Sequence, residues 1–339
     1  MKLTTLCYLE QDGNYLMLHR VSKKNDVNKD KWIGIGGKFE KGESPEDCLL
    51  REAREETGYR LTSWSLRGIV TFLFNDEEAE YMFLYTADGF EGEPCSCDEG
   101  TLEWIPKEQI DSLNLWEGDR IFFELLEEDH PFFSLKLHYR GDRLEEAALD
   151  GVPMELLDVL GENGVPSGLV RERNMVHRRG DFHRTSHVWI VRRKDGGGHE
   201  MLLQKRSREK DSFPGCLDIS SAGHIPAGSD YADSACRELY EELGIRAVPE
   251  DLAFAGFHEG TFRGEFHGKP FINRERSANF LYLKHVDAEQ LILQPEEVES
   301  VCWMDLEMVL EAARAGNPEF CLFPEEVELV KKFLEGTGK

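Results

Sequence analysis

The chain is short of positive charge. Forty Lys and Arg stand against 66 Asp and Glu, a formal net charge of −26. A surface of that sign repels nucleic-acid backbones and anionic membranes, so neither a nucleic-acid polymer nor a membrane is expected as a partner. Long hydrophobic runs are missing as well. No segment approaches the roughly 20 apolar residues of a membrane-spanning helix. The opening "MKLTTLCYLEQDG" holds too short an apolar run for a signal peptide. Cysteine is sparse, and the eight residues form neither paired zinc spacings nor a dense disulfide framework. The expectation is reduced thiols in a cytoplasmic protein, a monomer or homodimer.

What is present in excess is carboxylate. Most of it serves solubility, but carboxylates are also what a Mg²⁺ site is made from. A length of 339 residues with 40% hydrophobic content suits two packed domains.

Two stretches share one pattern. "GGKFEKGESPEDCLLREAREETGY" carries Arg51, Glu52, Glu55, Glu56 and Gly58. "AGHIPAGSDYADSACRELYEELGI" carries Arg237, Glu238, Glu241, Glu242 and Gly244 in the same spacing. The flanks agree too. Strand pairs are predicted around the turns Asp12-Gly13 and Asp195-Gly196, before each box. Apolar strand patterns follow each box, then Trp104 or Trp303, then the helical patterns "DRIFFELLEED" and "EEVELVKKFL". This is a duplicated domain. Turn signals at Asp150-Gly151 place the boundary near Gly151, dividing 1–150 from 151–339. The stretch from Met154 to about Gly180 becomes an N-terminal extension of the second domain.

In the first box Ser44 suits an N-cap, Pro45 the first helical position and Asp47 a capping box, while Gly58 suits a left-handed C-terminal position. The helix should span Pro45 to Thr57. Glu52, Glu55 and Glu56 then share one face. Crowded carboxylates repel one another, and a divalent cation relieves that repulsion. Three such glutamates alone are equally well a solvated helix face. The glycine-rich turn before the helix lets backbone approach a ligand closely.

The complete pattern is more specific. Gly37, Glu43 and "REAREETGY" resemble the Nudix box, and the resemblance extends over nearly the whole chain, once per half. It implies two α/β Nudix folds in tandem, each a mixed β-sheet between helices, and hydrolysis of a nucleoside diphosphate linked to another group X. It implies Mg²⁺, with Mn²⁺ as the alternative, held by Glu52, Glu55 and Glu56 and by Glu238, Glu241 and Glu242. One glutamate of each set is also a candidate base. Arg51 with Glu43, and Arg237 in the second half, become orienting residues. Glu99 and Glu297 are the candidate ligands from the loop before the last strand. Gly37, Lys38, Gly223 and His224 fall at the substrate.

The first half resembles the MutT-type oxidised-purine nucleotide diphosphatases, through "YLMLHRV", "KWIGIGGKFEKGE" and "LWEGDRIFFELL". On that resemblance Trp116 stacks on a purine and Asp119 bonds its edge. A packed tryptophan followed by a helix-capping aspartate is the other reading. Gly118 and Ile33 depart from patterns in that family that place an acid and an asparagine there.

The second half resembles the Nudix branch that includes isopentenyl-diphosphate isomerase, through "HRRGDFHRTSHVWI", "LLQKRSREKDSFPGCLD" and "GHIP". In the isomerase a cysteine precedes the "GH" pair and moves a proton. Ala222 stands there in this chain and cannot, so hydrolysis is the expected reaction. Ser229 replaces the acid that Glu43 supplies in the first half, and Asp230 suits the helix cap. His183 and His224 are candidates for metal or phosphate. Lys205, Arg206 and Arg208 are candidates to guide a diphosphate. Two alternatives are an isomerase and a nucleotide-sensing module without turnover.

Overall fold

The computed structural model describes residues 1–21, 26–75, 77–210, 212–266 and 268–337. The chain divides into two compact units, Met1–Leu156 and Leu157–Lys339. The turn at Asp150-Gly151 lies inside the first unit, where both residues take positive φ and return the chain for a further pairing. The division therefore falls a few residues beyond that turn.

The first unit holds strands β1 (Lys2–Gln11), β2 (Asn14–His19), β3 (Trp32–Ile33), β4 (Arg60–Phe74), β5 (Glu80–Glu91), β6 (Thr101–Pro106), β7 (Phe133–Arg140), β8 (Arg143–Leu149) and β9 (Val152–Pro153). Its helices are α1 (Pro45–Thr57) and α2 (Glu117–Glu127). Among the described residues the strands make one nine-stranded sheet in the order β3-β2-β1-β5-β4-β7-β8-β9, with β6 on β2. The pairs β1–β5 and β4–β7 are parallel and β4–β5 is antiparallel, so the sheet is mixed. The hairpin of β7 and β8 follows the helix at which the sequence pattern closes the first half.

The second unit opens with a two-stranded sheet of β10 (Leu156–Leu160) and β11 (Pro166–Glu172), then α3 (Arg173–Arg179). Its main sheet contains β12 (Phe182–Arg193), β13 (His199–Arg206), β14 (Leu217–Asp218), β15 (Ser221–His224), β16 (Leu252–Phe266), β17 (Lys269–Tyr282) and β18 (Val298–Asp305). The order is β14-β13-β12-β17-β16, with β15 on β12 and β18 on β13. Helices α4 (Tyr231–Leu243), α5 (Leu306–Arg314) and α6 (Pro324–Thr337) complete it. Among the described residues no helix is long and apolar enough to cross a membrane.

Alternation along the central strands explains the sandwich. Successive side chains of a strand point to opposite faces. In β12, Val188 and Ile190 join Ala235, Leu239 and Leu243 of α4, while Trp189 and Val191 join α5 and α6 through Leu306, Val309, Val327 and Val330. In β1, Cys7 and Leu9 join Leu49 and Ala53 of α1, and the ring of Tyr8 lies 4.7 Å from Phe123 of α2 on the other face. Each buried aliphatic side chain stabilises its core by about 1.5–3 kcal/mol.

The two box helices have the expected ends. The Ser44 hydroxyl accepts from the Asp47 N–H at 3.1 Å, and Asp47 Oδ2 accepts from the Ser44 N–H at 3.0 Å. Asp230 caps α4 by accepting from the Ala232 N–H at 2.8 Å. Gly58 and Gly244 end the helices in the left-handed region, at φ 79° and 71°.

Candidate functional site

The first acidic site is built from α1 and the turn that precedes it. Arg51 stands at its centre. Its Nε and Nη2 donate to the two oxygens of Glu43 at 2.7 and 3.0 Å, a bidentate pair. Its Nη1 reaches Glu52 at 2.6 Å and Glu55 at 3.3 Å, and Nη2 also donates to the Lys38 carbonyl at 3.0 Å. Hydrogen bonding from Arg51 holds the Glu43 carboxyl down at about 2. One guanidinium thus ties the turn to the acidic face.

Glu56 is buried and accepts from the Gly36 N–H at 2.9 Å. Burial, with the nearby charges of Glu52 and Glu99, pushes its pKa up to about 7. Glu99 comes from the loop before β6 and is paired with Arg20. Arg20 also holds Asp26 at 2.7 Å. Glu55 is the exposed member of the set, at 61%. The donors are all oxygens, crowded, and one carboxylate resists ionisation until a cation neutralises it. That is the chemistry of a site for a hard divalent cation.

The second unit repeats this arrangement. Glu242 is buried beside Ser221 and accepts from the Ala222 N–H at 3.2 Å. Burial, with Glu238 and Glu297 close by, lifts it to about 8. Glu297, from the loop before β18, pairs with Lys210 as Glu99 pairs with Arg20. Arg237 reaches Glu238 at 2.6 Å and Glu241 at 2.8 Å.

Ser229 makes the difference between the two. Arg237 has no counterpart of Glu43, and its side chain is 40% exposed against 21% for Arg51. The turn is held another way. Asp158 of β10 accepts from the Gly228 N–H at 2.8 Å and from Arg184 at 2.7 Å, and Arg184 donates to the Ser229 carbonyl at 2.9 Å. Both charged residues are buried. A strand outside the repeated pattern therefore positions the second turn.

Trp116 enters α2 and is 3% exposed, so it is a packed residue in this structure. Its indole N–H donates to Asn28 Oδ1 at 2.8 Å, Lys31 lies 4.3 Å from a ring centroid, and Phe72, Phe74 and Tyr139 meet it edge-on. Asp119 lies within the first turn of α2 and does not cap it. Burial pushes its pKa up to about 7, against the opposing charges of Lys31 and Arg120.

His183 and His224 do come together, and His177 of α3 joins them. The imidazole nitrogens that could serve as ligands all lie within 4.8 Å of one another. His224 Nε2 is 3.2 Å from His177 Nε2, and His183 Nδ1 bonds the Asp181 carbonyl at 2.9 Å. His183 Nε2 is buried with no hydrogen-bond partner among the described residues. Burial depresses all three pKa values, His177 to about 3, which keeps the rings neutral as metal binding requires.

The basic residues expected to guide a diphosphate each have a carboxylate partner. Arg206 is paired with Asp218 at 2.8 Å, and Lys205 and Arg208 with Glu299 at 3.2 and 3.8 Å. Sequence reasoning missed Asp158, Arg184, Arg20, Lys210, Asn28 and Lys31, which lie far along the chain from their partners. His177 was legible in principle, six residues before His183 in "HRRGDFH".

A profile of the NUDIX domain matches residues 2–126 and 182–322. The oxidized purine nucleoside triphosphate hydrolase of Danio rerio is 32% identical over 152 residues, covering 44% of this chain and 96% of that protein. Nudix hydrolase 3 of Arabidopsis thaliana is 38% identical over 181 residues, 53% of this chain, and the chain spans only 23% of that relative's length. An uncharacterized Nudix hydrolase of Clostridium acetobutylicum is 36% identical over 153 residues, covering 45% of this chain and 71% of that protein. Among solved structures, a mutator MutT protein from Bacillus halodurans is similar at 28% identity and a TM-score of 0.41, covering 45% of this chain and all of that one.

Proposed function

The chain belongs to the Nudix family of hydrolases, and from that premise we propose that both units hydrolyse diphosphate linkages with Mg²⁺. The first unit is a diphosphatase of purine nucleoside triphosphates, oxidised purines included, giving the monophosphate and pyrophosphate. The second unit acts on a diphosphate whose leaving group is unidentified. The observation that carries the reading is the recurrence, in both units, of an arginine holding two glutamates beside a third that is buried and raised in pKa.

Glu52, Glu55 and Glu56, with Glu99, would hold Mg²⁺ in the first unit, and Glu238, Glu241 and Glu242, with Glu297, in the second. When bound, the cation neutralises the diphosphate and lowers the pKa of an attacking water. The chain's own groups do the rest. Arg51, fixed by Glu43, sets the positions of Glu52 and Glu55. A glutamate of each set accepts the proton of the attacking water. The turns at Gly37-Lys38 and Gly223-His224 bring backbone to the phosphates. We place the purine at the start of α2, beside Trp116 and Asp119. This requires Trp116 to leave the enclosure of Asn28, Lys31 and Phe72 before it can stack on a base. The name of the Danio rerio relative supports a purine.

Ala222 carries no exchangeable proton, so hydrolysis rather than isomerisation is proposed for the second unit. His177, His183 and His224 offer it an additional set of nitrogen ligands, suited to Zn²⁺ or Mn²⁺. The exposed Arg237 favours a second reading, in which this unit binds its ligand without turnover.

The test uses the full chain with one box disabled at a time, by Glu52→Gln with Glu56→Gln or by Glu238→Gln with Glu242→Gln. Each is run with Mg²⁺ against dGTP, 8-oxo-dGTP and a panel of diphosphate compounds. Pyrophosphate release that survives only with the first box intact is expected for the purines. Equal kcat/KM for dGTP and 8-oxo-dGTP removes the preference for oxidised bases. Tight binding without product at the second box establishes the sensing reading.

A further inference from the structure

The two units can be matched residue by residue through their ladders. Cys7 bridges Ile35 and faces Tyr85, as Val188 faces Ser221 and Phe280. One position earlier, the pair Leu6–Leu84 therefore corresponds to His187–Asn279. On the next strand Gly68 faces Leu84 and Gly256 faces Asn279, each after a register shift, so Val70 corresponds to His258. The carbonyl of Trp116 accepts the N–H of Asp119 at the start of α2, and that of Phe323 accepts the N–H of Glu326 at the start of α6. Asp119 thus corresponds to Glu326.

In the first unit Leu6, Val70 and Leu84 fill these places as buried apolar side chains. The second unit has an ionisable cluster instead. Glu326 is fully buried. Both its oxygens lie 3.0 Å from His187 Nδ1, and Oε1 lies 3.1 Å from His258 Nδ1 and 3.4 Å from Asn279 Nδ2. The acid engages each ring by Nδ1, which leaves Nε2 of each without a hydrogen bond among the described residues. Burial lowers the His187 pKa, but the charge and hydrogen bond of Glu326 outweigh it and carry it to about 9. His258 is raised in the same way. Glu326 favours the protonated form of both rings, and Glu275 and Asp218 act on His187, and Glu325 on His258, in the same direction.

The fold does not need the two histidines here, because the first unit closes their places with leucine and valine beside the buried Asp119. The location is informative. His187 lies opposite Ala222 in the β12–β15 ladder, next to Gly223, where an added Cβ would lie 2.3 Å from Glu238 Oε1. The half-buried ring of Phe323 stands 5.1 Å from that of His258. Phe323 is where Trp116 stands in the first unit. Residues directly opposite in a ladder share a face, so His187 and Ala222 point to the α6 face while Gly223 meets Glu238 on the other. The cluster lies across the sheet from α4, at the place that Trp116 and Asp119 occupy in the first unit.

We infer that this cluster is the leaving-group pocket of the second unit, and that His187 and His258 donate from Nε2 to an anionic group, a phosphate or carboxylate, carried by X. The inference rests on the reading that the second box engages a diphosphate, and it gives X a chemical class. The oxygens of an anion can accept from both Nε2 donors at once.

The test is a titration of the full chain with inorganic phosphate, and separately with acetate, in EDTA so that neither acidic site holds a cation. Binding is read by calorimetry and by the imidazole signals in ¹H–¹⁵N spectra. Shifts at His187 and His258 are expected, with affinity falling about tenfold or more in His258→Gln and in His187→Leu with His258→Val. The second variant restores the first unit's apolar pair. His258→Gln, at the less buried of the two rings, guards against loss of folding, which circular dichroism monitors. Tighter phosphate than acetate binding identifies a phosphate on X, and the reverse a carboxylate. Equal affinity in the wild type and both folded variants, or no shift with either anion, overturns the inference. The titration contains no metal and so reads the pocket apart from turnover. A chain that binds phosphate through these histidines but hydrolyses nothing bears out the pocket and counts against hydrolysis.

Discussion

Gly37 faces Glu52 so closely that a Cβ on the glycine would lie 2.4 Å from Oε1 of the carboxylate. The glycine is not required by its own φ. What requires it is the space the acid occupies. Gly37→Ala should leave the fold intact and displace Glu52, lowering first-site turnover by roughly 10²-fold. Steady-state kinetics on a purine triphosphate, with a melting curve as control, checks this. A fully active alanine variant would show that Glu52 does not need its place.

Glu55→Gln and Glu56→Gln should each lower first-site turnover by about 10²-fold or more, while the chain still folds. Wild-type protein should also gain thermal stability on adding Mg²⁺, since a ligand bound only by the native state stabilises it. That gain should shrink in both variants. Melting temperatures with and without Mg²⁺ provide the check. Undiminished activity in both variants would remove the assignment of the acidic face.

Asp119 supplies a pH dependence. Its folded pKa of about 7 lies above the ordinary 3.8 because it is buried, so the native state favours the protonated form. That contribution is fully present below about pH 4 and is lost as pH rises through 7. At the shift given it amounts to at most about 4 kcal/mol. Asp119→Asn should therefore match the wild type near pH 4 and exceed it at pH 8.5. Urea unfolding at the two pH values decides the matter. Parallel losses in both proteins would contradict the burial of an acid there.

Asp158→Ala should destabilise the second unit by about 3–5 kcal/mol, since it strands the buried Arg184 and the Gly228 N–H. Ser229→Ala, which keeps the carbonyl that Arg184 uses, should be nearly neutral. Chemical denaturation of the full chain compares them. Equal stability of the two variants would mean that the turn is held without Asp158.

The acidic helices were readable because each is a local object. Ser44, Pro45, Asp47 and Gly58 cap a single turn-and-helix segment, and the spacing of Glu52, Glu55 and Glu56 needs only the helical repeat. The pairing of Glu43 with Arg51 was equally near, eight residues apart. The hairpin of β7 and β8 was not read, because its strands follow a helix that already closes the repeated pattern. Trp116 illustrates a deeper gap. Its sequence position fits an open platform for a base, yet Asn28, Lys31 and Phe72 enclose it from three separate segments.

By itself the amino-acid order determined that the chain is two copies of one domain, each with an arginine and three glutamates on one helix face. Helical periodicity, caps and turn chemistry act over a dozen residues and need no distant partner. Only the tertiary structure decided what surrounds those faces: Asp158 and Arg184 in place of a missing glutamate, three histidines from α3, β12 and β15 at one point, and Glu326 between His187 and His258. Such groups are joined across strands and helices far apart in the chain. Their energies depend on burial and on the partner met there, quantities that spacing along the chain does not carry.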